Sequence, residues 1–103
     1  MPIKVTKING RLCPRIFCDY CHDVISNAWD GNFESFSVQK EGVHVPIFFS
    51  HKKCSRKLES LKNPNKERWG TNSLAMLMLF LSGNLGMKKC DWEKAKKLEN
   101  LNL

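Results

Sequence analysis

The residues with chemistry to offer are two short pairs. In "PRIFCDYCHDV", residues 14–24, Cys18 and Cys21 stand two residues apart with His22 directly behind them; in "FFSHKKCSRKL", residues 48–58, His51 and Cys54 repeat that spacing. Two-residue spacing lets both members of a pair reach one ion from a single turn of backbone, and three thiolates with one imidazole form a usual tetrahedral set for zinc. The predicted metal ligands are therefore Cys18, Cys21, His51 and Cys54, with 29 residues between the pairs, holding one structural Zn²⁺. Cys13, five residues before Cys18, could replace His51. His22 could coordinate only by turning back sharply on Cys21, His44 falls in a predicted strand, and Cys90 reads as an ordinary thiol. A site closed by four protein ligands contributes folding energy rather than catalysis. No serine–histidine–acid set, glycine-rich phosphate loop or metalloprotease motif accompanies it, and Asp19, Asp23 and Asp30 form no catalytic pair, so the expectation is a non-enzyme. No strand–helix–strand pattern surrounds "CDYC" to support a redox motif.

The chain of 103 residues is one domain's worth, of a size that often relies on a metal for stability. Its five cysteines, an odd number, fit a disulfide framework poorly and suit a reducing compartment. The longest apolar run is "LAMLMLFL", residues 74–81, against the roughly 18 residues needed to span a bilayer, and the first residues show no signal-peptide core. A cytoplasmic protein with no membrane partner is expected. Charge is unevenly placed: residues 1–50 carry five basic and five acidic side chains, residues 51–103 twelve and five, which puts the whole formal +7 in the second half. A concentrated basic segment favours polyanions. The nucleic-acid-binding candidates are Lys52, Lys53, Arg56, Lys57 and Arg68, with Trp69 stacking on a base; a solvated lysine-rich face is the plainer reading of the same residues.

Hydrophobic periodicity supplies the elements that must position these residues. "RIF", residues 15–17, reads as a strand entering the cysteine knuckle, and residues 23–32 as turn, with Asp30-Gly31 its strongest marker. Residues 33–39 and 43–49 flank "KEG" as a β-hairpin, with Val43, Val45, Ile47 and Phe49 alternating; Pro46 makes that strand an edge or a bulge. A helix over 51–62, capped by Ser50 and stopped by Asn63-Pro64, gathers His51, Cys54, Leu58 and Leu61 on one face and turns Lys52, Lys53, Arg56 and Lys57 outward. Residues 63–70 read as a linker. "TNSLAMLMLFLSGN" reads as a helix apolar nearly all round and hence buried, with Thr71 or Asn72 as cap, Gly83 near its end, and Met76, Met78 and Met87 as core filler. A last helix over Asp91–Asn100 shows Trp92, Ala95, Leu98 and Leu101 at helical spacing. The expected layout is a zinc-binding module over 1–62, the linker, and a helical pair over 71–103 packed on the module as one compact domain. Residues 74–81 are the candidate surface for a homodimer or a protein partner.

A zinc ribbon would place its second ligand pair on another β-turn and continue into strand. A knuckle, then a hairpin, then a helix donating the last two ligands instead resembles a treble-clef zinc finger, and the order Cys-x-x-Cys then His-x-x-Cys resembles the first zinc module of LIM domains. The resemblance spans residues 13–62 and extends to small bacterial and phage zinc-finger proteins with "FFSHKKC"-like segments. It implies an α+β fold, Cys18, Cys21, His51 and Cys54 as metal ligands, and no catalytic residue.

Overall fold

In the computed structural model, which describes residues 2–102, the chain is mixed α and β: two three-stranded antiparallel sheets and three α-helices. The first sheet contains β1 (Ile3–Ile8), β2 (Arg11–Phe17) and β3 (Val24–Ile25) in the order β1-β2-β3. The β1–β2 hairpin is absent from the sequence reading, although Asn9-Gly10 announces it. Both turn residues are left-handed, with φ of 51° and 79°, the backbone of a two-residue turn whose twist matches that of the strands it joins. The predicted strand over 15–17 is the inner end of β2. There Ile16 pairs with Ile25 and packs on the core, while Val5 and Leu12 stay exposed.

The second sheet has the order β5-β4-β6, with β4 (Gly31–Phe36) between β5 (Phe48–His51) and β6 (Trp69–Ser73). The predicted hairpin is present but shorter than expected. Pairing runs from Gly31↔His51 to Glu34↔Phe48; two pairs further on, the register would set Pro46, which has no N–H to give, opposite Phe36. Residues 43–47 are therefore not strand: His44 lies in a loop, and Val43 and Ile47 are exposed.

His51 ends β5 rather than opening a helix. Lys52–Cys54 form a single 3₁₀ turn, and α1 runs over Ser55–Lys62. Of the four residues expected on its inner face, Leu58 is fully buried and Cys54 nearly so, but Leu61 is 61% exposed and borders a shallow cleft with Tyr20 of the knuckle. The segment expected as a linker is an ordered loop. Asn63, itself buried, donates from Nδ2 to the Glu67 carbonyl (2.8 Å) and accepts the Glu67 N–H at Oδ1 (2.9 Å). Trp69 and Gly70 already belong to β6, which pairs with β4 from Phe36↔Trp69 to Asn32↔Ser73.

Helix α2 (Leu74–Asn84) is capped by Ser73, whose Oγ accepts the Met76 N–H at 3.4 Å, rather than by Thr71 or Asn72. Only Leu74 and Leu77 are buried, against β4, β6 and the short turn over 28–30; Met78, Leu79, Phe80 and Leu81 are 43–61% exposed, so the expectation of all-round burial is not met. Helix α3 (Lys89–Asn102) begins two residues before the predicted start, with the Asp91 carboxylate accepting the Lys88 N–H at 2.8 Å. Its Trp92 and Leu98 are about half exposed, and the side chain of Leu101 lies outside the described residues. One buried cluster joins Cys18, Ile25, Phe49, Cys54, Leu74 and Leu77, so two of the predicted ligands lie in it, and a third, Cys21, packs against it with Ile16 and Phe33.

Candidate metal centre

Cys18 and Cys21 sit in the loop joining β2 to β3, His51 at the end of β5, and Cys54 at the last residue of the 3₁₀ turn that leads into α1. Their ligand atoms all lie within 4.8 Å of one another. Four sulfur or nitrogen donors about 2.0–2.3 Å from one ion stand roughly 3.5–3.8 Å apart in a tetrahedron, so this cluster fits a single metal ion. The 3.3 Å between Cys21 Sγ and His51 Nδ1 is close to that spacing.

The surroundings favour this use. His51 Nε2 lies 2.9 Å from the Val24 carbonyl, to which it donates its proton. That fixes the tautomer and leaves the Nδ1 lone pair facing the three sulfurs, as metal-bound histidines are held by a partner on the other nitrogen. The backbone N–H groups of Tyr20 and Cys21 donate to Cys18 Sγ at 3.3 and 3.4 Å, which favours thiolate there. Asp19 fastens the knuckle to β5: its N–H donates to the Phe49 carbonyl and its Oδ2 accepts the Phe49 N–H, both at 2.7 Å. The knuckle is thereby locked two residues from His51.

The thiols are electrostatically unequal. Burial pushes Cys18 up, but N–H groups of Cys21, His51 and Tyr20 outweigh it and bring the thiol down to about 7. Burial, then repulsion from the neighbouring sulfurs, pushes Cys54 up to about 11. Cys18 and Cys54 this close together disfavour two thiolates at once, and a divalent ion would supply the compensating charge.

The alternatives left open by the spacing are resolved by position. Cys13 is in β2 opposite Thr6, outside the cluster, while His51 is within it. His22 is exposed with left-handed backbone (φ 67°), His44 is exposed in a loop, and Cys90 is exposed on α3.

The basic candidates fall in three places. Arg56 and Lys57 border a shallow cleft with Tyr20, Ser60 and Leu61; Lys52 and Lys53 border a hollow with Asp30 and His51; Arg68 lies beside Phe36, Ser37, Gln39 and Glu67. Trp69 is used by the fold. Its indole N–H donates to Glu34 Oε1 at 3.2 Å, and its ring stands edge-on to Phe36 and stacks on Phe48, with centroids 5.0 and 5.8 Å away.

Sequence reasoning missed Glu34. Its fully buried carboxyl group accepts from the Ser50 hydroxyl at Oε2 and from the Ser55 hydroxyl (3.0 Å) and the Trp69 indole at Oε1. Ser50 precedes His51 and Ser55 follows Cys54, so Glu34 clamps both ends of the second ligand pair. Nothing local in "GNFESF" signals this. Asp19 and Tyr20 were visible as the two residues inside the first cysteine pair, but no spacing rule assigns them a role.

No family model matches the chain, and no curated protein and no solved structure matches it.

Proposed function

We propose that the protein is a treble-clef zinc finger in which one structural Zn²⁺ is held by Cys18, Cys21, His51 and Cys54, and that it acts as a non-catalytic nucleic-acid-binding module. The observation that carries the metal reading is the four-ligand cluster with His51 already oriented by Val24. A site closed by three thiolates and an imidazole has no position for water or substrate, which favours a scaffolding role over a hydrolytic one. Zinc with three thiolates sums to −1, leaving the loaded protein at about +6, still distinctly basic. Lys52 and Lys53 follow directly on His51, Arg56 and Lys57 lie two and three residues past Cys54, and all four are exposed, so the metal would fix the segment that presents them.

The test is a titration of zinc-loaded protein against generic DNA and RNA over a range of salt, comparing wild type with a quadruple variant in which Lys52, Lys53, Arg56 and Lys57 become Gln. If all four reach phosphates, the slope of log K against log salt shrinks by about 3–4 in the variant. Absence of binding at low salt, or an unchanged slope, overturns the reading. A second reading, a protein-interaction module, is favoured by one observation: Met78, Leu79, Phe80 and Leu81 leave the second half of α2 apolar and exposed. Sedimentation equilibrium discriminates, since a concentration-dependent dimer abolished by Leu79→Lys supports it and a monomer at all concentrations counts against it.

A further inference from the structure

The cleft between the first cysteine knuckle and α1 combines an aromatic ring, two cations, a hydroxyl and an apolar wall. It is lined by Tyr20, Arg56, Lys57, Ser60 and Leu61 and measures about 460 Å³. We propose that it seats one unstacked base of a single-stranded nucleic acid, with Tyr20 as the stacking platform and Arg56 and Lys57 on the adjoining phosphates. This rests on the nucleic-acid reading above and gives it a substrate class.

Three observations carry the assignment. First, Tyr20 is held in place before any ligand arrives. Its N–H is bonded to Cys18 Sγ, its predecessor Asp19 is bonded twice to Phe49, and its successor is the ligand Cys21. An aromatic ring on so constrained a backbone loses little entropy when a base stacks on it. Second, the ring is presented to solvent, 38% exposed, with Lys57 Nζ 5.9 Å from its centroid. The Lys57 ammonium stands over the ring, so a base stacking there takes that place while the flexible lysine moves to the adjoining phosphate. Third, Leu61, exposed although the sequence pattern turned it inward, extends the apolar wall, and the Ser60 hydroxyl can donate to or accept from a base edge. Trp69, the stacking residue expected from the sequence, is committed to Glu34, Phe36 and Phe48, so the platform passes to Tyr20. Stacking on a side chain needs a base whose face is free. Single strands offer that and an intact duplex does not, which makes the cleft selective for unpaired nucleic acid.

Tyr20 is the one tyrosine in the chain, so 3-fluorotyrosine labels it alone. The zinc-loaded protein is titrated at low salt with an oligodeoxythymidylate of about 12 nucleotides, an oligouridylate of the same length, and a duplex of equal length. The expected result is a ¹⁹F shift with a single strand and none with the duplex, tighter binding of one oligonucleotide identifying DNA or RNA as the preferred source. Tyr20→Ala should weaken single-strand binding by about 5- to 150-fold, the range for one stacked base, while Tyr20→Phe keeps it within about 2-fold and duplex affinity stays unchanged. Zinc content and circular dichroism verify that the alanine variant is folded; if it is not, the fluorine shift and the phenylalanine variant decide. No shift with either single strand, or equal weakening of single strand and duplex in a folded Tyr20→Ala, overturns the assignment. An effective quadruple lysine/arginine variant beside a silent Tyr20→Ala removes the cleft and keeps the nucleic-acid reading; no binding by wild type removes both.

Discussion

Replacing Glu34 tests whether the buried carboxyl group holds the second ligand pair in place. Its three donors, from Ser50, Ser55 and Trp69, tie β4 to β5, α1 and β6. Glu34→Ala strands the fully buried Ser50 hydroxyl and the indole N–H without a partner, at about 1–3 kcal/mol each. It also opens a cavity, so the expected loss is about 3–5 kcal/mol of stability. Glu34→Gln keeps an acceptor for Ser55 and Trp69, and the Ser50 hydroxyl can rotate to accept from the new amide, so it should cost only about 1 kcal/mol. Because Ser50 and Ser55 flank His51 and Cys54, freeing them should also lower zinc affinity by about 10-fold or more, the usual effect of removing an outer-shell partner. Urea unfolding of the loaded protein measures the first quantity, and competition with a chromophoric chelator the second. An alanine variant within about 1 kcal/mol of wild type, or with unchanged zinc affinity, would refute the reasoning.

Gly31 is placed by contact rather than by backbone conformation: a Cβ there would lie 2.5 Å from Leu74 Cδ1 and 2.7 Å from Ile25 Cγ2. Gly31→Ala should therefore push α2 from the sheet and destabilise by about 1–3 kcal/mol in urea unfolding. Leu58→Ala should cost about 2–5 kcal/mol, whereas Leu61→Ala, at a position 61% exposed, should stay within about 0.5 kcal/mol, and comparable losses at both would contradict the placement of α1. Zinc takes thiolates, so it must displace the proton of Cys54, whose thiol ionises only near about 11, and part of that on Cys18, near about 7. Binding at pH 7 should release about one proton or more, and affinity should fall as pH drops; calorimetry in buffers of different ionisation enthalpy reads the release, and proton-neutral binding would refute it.

The metal cluster was legible because its information is local: two pairs, each reaching from one turn of backbone. What lay between and beyond them was less so, for reasons that differ by element. The β1–β2 hairpin carries its own signal in Asn9-Gly10, a two-residue turn flanked by strands whose outer residues are mostly exposed. Strand β6, "WGTNS", has no strand pattern at all; it forms because β4 has a free edge for main-chain pairing, and its Gly70, Thr71 and Asn72 are exposed. In α2 the uniform apolarity that suggested burial removed the polar face that would have shown which side packs, and only Leu74 and Leu77 are buried, with Phe80 edge-on to Phe33 of β4. Leu61 obeyed helical spacing, but at the last turn of α1 that spacing did not bring burial. Glu34 was illegible in principle, since its partners stand 16, 21 and 35 residues away. The choice between Cys13 and His51 likewise needed three dimensions, in which His51 stands within the cluster and Cys13 outside it.

The central claim is a single zinc held by three sulfurs and one nitrogen. Zinc-edge X-ray absorption on the purified protein, with metal content measured on the same sample, tests it most directly. The expected result is one equivalent of zinc with three sulfur neighbours at about 2.3 Å and one nitrogen at about 2.0–2.1 Å, the nitrogen shell disappearing in His51→Ala. A four-sulfur shell, or protein that stays folded with no bound metal, would contradict it.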